Sequence, residues 1–277
     1  MRIICVGNQK GGVGKTTTAA NVAGALAEAG QHVLAVDFDP QAQLAHAVGA
    51  QDLLEYDEFG DLLSLSIADL LAPPRRGPAP TLSDTILHTP FAGLDLLPAS
   101  SSLDEARRGL EMSSAVGIRA LSRILAEDEM AKNGFEYDWV VIDTAPKLDM
   151  LLDNALVAAD YVLAVLAPEL QQTEPLLRFK RRVEEVREEV NPNLVLLGIL
   201  FNKANRSWRA TTTIPEMIAA AGLPVLDTVI PMYARLATSY GMGPIVFTAP
   251  NSREAQAVRD AMGELIIKLD KSESGAA

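Results

Sequence analysis

The sequence predicts a single α/β domain with a mostly parallel, twisted sheet and helices on both of its faces. Short apolar runs typical of buried strands alternate with runs of helical periodicity. The first apolar run leads into a glycine-rich loop, and two later ones end in an aspartate. The chain has 277 residues, 48% of them hydrophobic, which suffices to bury one such core. We expect one domain over residues 1–270 and a disordered tail over residues 271–277.

Periodicity and turn residues place the elements along the chain. The predicted strands are Arg2–Gly7, Gln31–Val36, Thr85–His88, Leu94–Leu97, Tyr137–Thr144, Tyr161–Leu166, Leu194–Leu200 and Val225–Ile230. The predicted helices are Ala19–Ala29, Gln41–Val48, Ile67–Leu71, Leu103–Leu110, Ala115–Met130, Leu151–Ala159, Glu174–Val190, Thr212–Ala221 and a terminal helix from Asn251 or Ser252 to Leu269. The first helix is expected to be amphipathic.

The loop between the first strand and the first helix has the composition of a phosphate-binding loop. It reads Asn8-Gln-Lys-Gly-Gly-Val-Gly-Lys-Thr-Thr-Thr18. Glycines let successive backbone N–H groups point into one concavity, and the following helix adds its positive end. Lys15 is predicted to reach the β- and γ-phosphates and Thr16 to place its hydroxyl on Mg²⁺. A glycine-rich turn with incidental lysines is the alternative, but strand, loop and helix follow in the order of a P-loop NTPase.

A second lysine distinguishes this loop from the plain P-loop. Gln9 stands where the first glycine of Gly-x4-Gly-Lys-Thr would fall, and Lys10 lies five residues before Lys15. The string resembles the deviant Walker A motif of the ParA family of partition ATPases, in the MinD/ParA superfamily. The resemblance implies that Lys10 reaches across a dimer interface to the partner's nucleotide, while Lys15 acts within its own subunit. By the same resemblance, the loop residues that bind the nucleotide are Lys10, Gly11, Gly12, Val13, Gly14, Lys15, Thr16 and Thr17.

Three aspartates lie at or just after the ends of predicted strands, at the edge where parallel sheets bind ligands. Asp37 and Asp39 belong to the string Asp-Phe-Asp-Pro-Gln, which resembles switch I of the family. The resemblance implies that Asp39 orients or deprotonates the attacking water, as a third catalytic residue beside the two lysines, and that Asp37 helps to hold Mg²⁺. Asp143 has the Walker B position and is expected to bind Mg²⁺ through water. A turn that caps a helix, and a purely structural Asp143, are the alternatives.

Looser resemblances concern switch II and the base of the nucleotide. Ala145 replaces the first proline of the family's Asp-x-Pro-Pro string, so the switch II backbone is expected to differ. Related ATPases place an asparagine against adenine at the end of the seventh strand, which makes Asn202 a candidate for base recognition. Pro231 and Met232, at the end of the last strand, are further candidates for adenine contacts.

The charge of the whole chain argues against nucleic acid binding, but its distribution leaves a local patch open. The net charge is −12 and the pI about 4.7, whereas residues 178–209 contain eight basic and four acidic side chains. Such a patch binds phosphate backbones in a salt-sensitive way. By resemblance to the family, Arg206, Arg209 and Arg235 are the candidate DNA contacts. A structural ion pair at Arg235, and i,i+4 pairs such as Arg181–Glu185 along the long helix, are the alternatives.

Cysteine content and hydropathy limit the compartment and the cofactors. No run approaches the ~18 apolar residues of a membrane span, and the first strand begins too early for a signal peptide. The single Cys5 excludes a disulfide framework and the iron–sulfur clusters of some relatives, and is expected to be a small buried hydrophobe. We expect a cytoplasmic, nucleoid-associated protein without a membrane partner.

The resemblance extends from Met1 to about Leu269 and implies a DNA-partition ATPase with ATP and Mg²⁺ as cofactors. Mg–ATP is expected to bring two subunits face to face in a homodimer that binds DNA nonspecifically. Hydrolysis, stimulated by a ParB-like centromere-binding partner, is expected to release the DNA. A ParA-like ATPase that positions a protein cargo and a MinD-like regulator at a membrane surface are the alternatives. The terminal helix, which mixes acids with few lysines, argues against the latter.

Overall fold

Eight strands form one sheet in the part of the chain that the computed structural model describes, residues 1–73, 78–167, 173–204, 210–220, 222–231 and 242–274. They are β1 (Arg2–Gly7), β2 (Val33–Phe38), β3 (Leu87–His88), β4 (Leu94–Leu97), β5 (Trp139–Thr144), β6 (Tyr161–Leu166), β7 (Val195–Ala204) and β8 (Val225–Pro231). Their order is β3-β4-β2-β5-β1-β6-β7-β8, and every neighbouring pair is parallel except β3 and β4. The predicted fold class is confirmed.

Helices cover both faces of the sheet. One face carries α1 (Lys15–Glu28), α2 (Leu44–Ala47), α12 (Ile245–Thr248) and α13 (Arg253–Ser274). The other face carries α3 (Ile67–Leu71), α4 (Leu82–Thr85), α5 (Leu103–Met112), α7 (Ala120–Ile124), α8 (Glu127–Lys132), α9 (Met150–Ala158), α10 (Thr173–Glu189) and α11 (Ala210–Ala220), with the short α6 (Ser114–Gly117) between α5 and α7. None of the helices that the structure describes is long and apolar enough to cross a membrane.

The central strand β1 shows how two cores arise from one apolar run. Ile3 and Cys5 pack into the core on one face, whereas Ile4 and Val6 pack into the core on the other, because side chains alternate along a strand. With both faces covered, the strand has no polar face, which explains its continuous apolar sequence. Cys5 is fully buried, as predicted, and burial raises the pKa of its thiol.

Two predicted elements are wrong, each for a local reason. The predicted helix Ala115–Met130 is three short helices, and the Asn154 side chain of α9 accepts the Leu121 N–H (3.1 Å), which starts a new helix there. The strand predicted over Thr85–His88 begins only at Leu87 in the structure, two residues later than predicted, because α4 extends to Thr85. A capping box between Thr81 and Asp84 stabilises that helix.

The first and last helices also differ from expectation. α1 is not amphipathic: its residues Thr18–Ala27 are all buried, because α2, α12 and α13 cover the side that faces away from the sheet. The terminal helix packs through Val258, Ala261 and Leu265, whereas Ile266 is exposed. It continues to Ser274, so residues 271–274 are helical rather than part of a tail.

Candidate functional site

The carboxyl ends of three adjacent strands bring distant segments of the chain together. In β2 and β5, Asp37 lies directly beside Asp143, and in β1 the neighbour of Asp143 is Val6, two residues before the loop begins. The phosphate-binding loop, switch I and the Walker B acid therefore meet at one edge of the sheet, as the positions of the acids predicted.

The loop between β1 and α1 presents backbone N–H groups rather than side chains. Gly12 and Gly14 have φ angles of 76° and 92°, in the left-handed region that favours glycine. Gly14 is the N-cap of α1, and no side chain accepts a hydrogen bond at this helix start. The first N–H groups of α1 are thus without a capping side chain, which is the arrangement that binds an anion.

The two lysines of the loop lie in opposite environments. Lys15 is only 6% exposed, and its ammonium donates to the Lys10 carbonyl oxygen (3.3 Å). Burial lowers the pKa of Lys15, against the opposing effect of Asp143 and Asp39. Lys10 is exposed, and no carboxylate among the described residues lies within ion-pair distance of its ammonium. One cation therefore faces into the subunit and the other faces away from it.

The three acids are held differently. Asp143 is fully buried, and neither of its carboxylate oxygens accepts a hydrogen bond from the described residues. Burial raises the pKa of Asp143 to about 7, although Thr16 and Lys15 lower it. Asp37 is also buried, and its two oxygens accept the N–H groups of Asp39 (3.1 Å) and Leu44 (2.9 Å). Burial and the nearby Asp143 carboxylate raise the pKa of Asp37 well above its usual range.

Asp39 lies nearer the surface, at the mouth of the site. Its side chain is half-buried, and its Oδ1 accepts the Gln41 N–H (2.9 Å). The turn alternative is thus part of the structure: Asp37 caps the start of α2, and Asp39 fixes the following turn. These hydrogen bonds leave lone pairs on both carboxylates. They are therefore compatible with the predicted roles of Asp37 at Mg²⁺ and of Asp39 with the attacking water.

Comparisons with known proteins show the family of the chain. The AAA domain family matches residues 1–196. The chromosome partitioning protein ParA of Caulobacter vibrioides is 32% identical over 244 residues, 88% of this chain and 85% of that protein. The chromosome-partitioning ATPase Soj of Thermus thermophilus is 34% identical over 275 residues, 98% of each chain. This chain belongs to the ParA/Soj family. The resemblance stated from the loop is confirmed.

The similarity to known proteins extends to three-dimensional structure. Cobyrinic acid a,c-diamide synthase from Mycobacterium smegmatis, with bound ADP and magnesium, superposes with a TM-score of 0.79 at 30% identity. The match covers 98% of this chain and 96% of that one. The ParA/Soj chain therefore shares the P-loop NTPase fold with a protein solved in a nucleotide-bound state.

The residues of this ParA/Soj site fit a nucleotide and a divalent cation. Uncapped N–H groups and the buried Lys15 suit phosphates, and the two unpartnered oxygens of Asp143 suit a cation. Among the described residues, no three His, Cys, Asp or Glu side chains cluster as a metal site. A cation here would therefore need the Thr16 hydroxyl and phosphate oxygens as well as the acids, as Mg²⁺ sites in P-loop proteins do.

Several residues that support the ParA/Soj loop were not identified from the sequence. Asn8 is buried, donates to the Val165 carbonyl oxygen (2.6 Å) and accepts the Lys10 N–H (3.2 Å). The Thr144 hydroxyl donates to the Val6 carbonyl oxygen (2.9 Å). Both are polar residues directly after or at the end of a buried strand, which was the available signal. Asn8 fastens the loop to β6, and Thr144 joins the end of β1, from which the loop starts, to β5.

Asn202, the candidate for contact with adenine, is buried and contacts the phosphate-binding loop. Its amide Nδ2 donates to the Val13 carbonyl oxygen (3.2 Å), so it joins β7 to the phosphate-binding loop. Contact with a base stays a prediction. Pro231 ends β8, and Met232 lies outside the described residues.

The proposed DNA contacts Arg206, Arg209 and Arg235 also lie outside the described residues. The basic face of α10 is described, and four of its basic residues are paired with acids: Arg178 with Glu174, Lys180 with Glu184 (2.7 Å), Arg181 with Glu185 (3.6 Å) and Arg182 with Asp153 (2.6 Å). The predicted i,i+4 alternative is confirmed by three of these pairs.

Proposed function

We propose that this chain is a partition ATPase in which Mg–ATP closes a homodimer that binds DNA nonspecifically. The single observation that carries the proposal is the opposite placement of Lys15 and Lys10. A buried lysine suffices for the phosphates of one subunit. The exposed Lys10, on the same short loop and without an acidic partner among the described residues, has the placement that a contact with a second subunit's nucleotide requires.

Within one subunit, this chain's residues would bind and orient the nucleotide. Lys15 and the first N–H groups of α1 hold the phosphates, and Thr16, Asp37 and Asp143 hold the cation. Bound Mg²⁺ supplies charge neutralisation of the β- and γ-phosphates. Asp39, fixed by its turn at the mouth of the site, orients the water for hydrolysis.

DNA binding and release follow from the state of the dimer in this proposal. Arg206, Arg209 and Arg235 from two closed subunits form the DNA surface, and hydrolysis opens it. A ParB-like partner accelerates that step, and the protein occupies the nucleoid in the cytoplasm. The proposal is supported by the relatives, which are named chromosome partitioning proteins. Because a net charge of −12 opposes DNA binding, the contact in this proposal is confined to a local basic patch.

The structural neighbour named a synthase favours a second candidate, an ATP-dependent biosynthetic enzyme. Such an enzyme would need to bind only the phosphates of its own subunit's nucleotide. Lys10 would then be dispensable for its activity. The two functions therefore differ in what Lys10 does.

Dimerisation of a Lys10→Ala variant tests the proposal. We expect the variant to bind ATP with near-normal affinity but to remain monomeric in sedimentation velocity, whereas the unmodified chain dimerises with Mg–ATP. Gln9→Ala, on the same loop, is the matched control and should dimerise. ATP-dependent dimerisation of Lys10→Ala with undiminished stability would refute the role of Lys10.

A further inference from the structure

Residues 52–65, which we call the acidic hairpin, comprise the end of a short 3₁₀-helix (Gln51–Leu53) and the exposed hairpin that follows it. The proposed function does not use them. Tyr56 and Leu62 pair as an antiparallel bridge, and the Leu63 N–H donates to the Glu55 carbonyl oxygen (2.8 Å). At the tip, Asp57 Oδ1 accepts the N–H groups of Phe59 (2.9 Å) and Asp61 (2.8 Å). The turn is therefore held by a side chain as well as by backbone hydrogen bonds.

The hairpin presents large apolar side chains to solvent. Phe59 is 83% exposed, Leu63 64%, Tyr56 45% and Leu53 43%. A single exposed leucine is ordinary, but several large apolar side chains on one short hairpin are typical of an interaction surface.

The same hairpin is strongly and uniformly acidic. It contains five carboxylates and no lysine, arginine or histidine: Asp52, Glu55, Asp57, Glu58 and Asp61. None of the five takes part in an ion pair within the part of the chain that the structure describes. This contrasts with α10, where most charges are matched by a neighbour of opposite sign.

A cavity of about 290 Å³ joins the hairpin to switch I. Its walls include Tyr56 and Leu62 from the hairpin, Gln41 and Gln43 from the segment after Asp39, and Ser101 from the turn between β4 and α5. Burial and, to a smaller extent, the Asp37 carboxylate raise the pKa of Tyr56, which places the hydroxyl within the electrostatic reach of switch I. A molecule seated here would touch both the hairpin and the switch.

We propose that the acidic hairpin is the docking surface for a cationic amphipathic segment of a partner protein, in which lysine or arginine alternates with apolar side chains. The apolar side chains would cover Phe59 and Leu63, and the basic ones would pair with Glu55 and Glu58. DNA and anionic lipid are both repelled by the unpaired carboxylates. A second copy using the same face would place like charges across the two-fold axis.

Docking at this position acts on hydrolysis, a consequence that rests on the proposed function. Residues 40–43 form part of the cavity wall and follow Asp39 directly. A partner segment that fills the cavity would thus change the position or mobility of Asp39. Binding itself does not depend on ATPase activity, so the two claims are separable.

Fluorescence anisotropy with a labelled synthetic peptide tests the proposal. The probe is a peptide of about 14 lysine and leucine residues at helical spacing, with a glutamate–leucine peptide as its control. The hairpin variants are Phe59→Ser with Leu63→Ser, and Glu55→Lys with Glu58→Lys. The matched controls are Met112→Ser, another strongly exposed apolar residue, and Glu188→Lys with Glu189→Lys, an exposed acidic pair on α10.

We expect each hairpin variant to weaken binding of the lysine–leucine peptide about tenfold and each control variant to change it by less than about twofold. Equal weakening by the Glu188 and Glu189 substitutions would show general attraction to an acidic protein and would overturn the proposal. Unchanged binding in the hairpin variants would overturn it as well. Peptide binding at the hairpin in a protein that hydrolyses no ATP would support the docking surface while contradicting the proposed function.

Discussion

At the scale of single residues, the site buries charges that have incomplete partners in the protein. Lys15 donates to one carbonyl oxygen, and Asp143 has no hydrogen-bond donor among the described residues. A buried charge without full compensation costs several kcal/mol. A ligand with the opposite charges, a phosphate for Lys15 and a cation for Asp143, offsets that cost.

Substitution of Lys15 should remove nucleotide binding. In Lys15→Ala the phosphates lose a charge-assisted hydrogen bond worth about 1.5–3 kcal/mol, so ATP affinity should fall at least roughly tenfold. Isothermal titration calorimetry measures this affinity, and Lys10→Ala is the matched control on the same loop. Unchanged affinity in Lys15→Ala would refute the assignment of the loop.

Substitution of Asp143 should stabilise the nucleotide-free protein. Burial raises the pKa of Asp143 from 3.8 to about 7, so the folded state holds a proton that the unfolded state has lost between these values. The carboxyl group thus favours folding below about pH 4, and this contribution is lost as the pH rises to about 7. At pH 8, Asp143→Asn should raise the free energy of unfolding by roughly 2–4 kcal/mol.

Urea unfolding at several pH values measures this effect. The advantage of Asp143→Asn should grow from pH 4 to pH 7, whereas the exposed Asp52→Asn should follow the unmodified chain throughout. If Asp143→Asn were less stable than the unmodified chain at pH 8, the Asp143 carboxylate would have a stabilising partner, and the prediction would be wrong.

At the scale of elements, α1 is held so closely that a glycine is needed in its middle. A Cβ atom at Gly24 would lie 2.4 Å from the Cβ of Pro244, next to α12. The Asn21 side chain reinforces the contact by accepting the Ile245 N–H (2.8 Å). Because α1 begins at the phosphate-binding loop, this packing also fixes the position of the loop.

Alanine at two helical glycines should therefore have opposite effects. Gly24→Ala forces α1 away from Pro244 and should destabilise the fold by about 1–3 kcal/mol. Gly263→Ala lies in α13 with no atom within 4 Å of the added Cβ, and should stabilise it by about 0.5–1 kcal/mol. Thermal unfolding of the two variants checks both signs. A neutral Gly24→Ala would contradict the close packing of α1.

Sequence patterns predicted elements best where local chemistry decides them. β1, β4 and β6 have the predicted bounds. In β1 and β6, continuous apolar runs between turn residues leave little choice of bounds. The break of the predicted helix over 115–130 depends on Asn154, a residue more than thirty positions away in the chain. The burial of α1 depends on α12 and α13 in the same way. Such tertiary contacts leave no signal in the local pattern.

The same distinction holds for the site. The loop and the acids were predictable because motif and strand order together fix where they meet, and Asp37 and Asp143 do lie side by side. Asn8 was missed because its role comes from β6, through the Val165 carbonyl oxygen. The exposure of Lys10 and the burial of Lys15 could not be predicted, because they depend on the backbone conformation of the loop.

At the scale of the whole molecule, the proposed function requires an acidic protein to bind DNA with an affinity that its nucleotide controls. A chain with a net charge of −12 has a long-range field that repels phosphates. In the proposed function, DNA binding therefore comes from a local basic surface that dimerisation doubles, because two linked patches bind far more tightly than one.

Binding to random-sequence duplex DNA with ATP, with ADP and without nucleotide, each at two salt concentrations, tests this account most directly. We expect binding with ATP alone, and a marked loss of affinity at the higher salt concentration, since each phosphate contact releases counterions. The outcome that would contradict the account is the absence of DNA binding in every nucleotide state while Mg–ATP still produces a dimer.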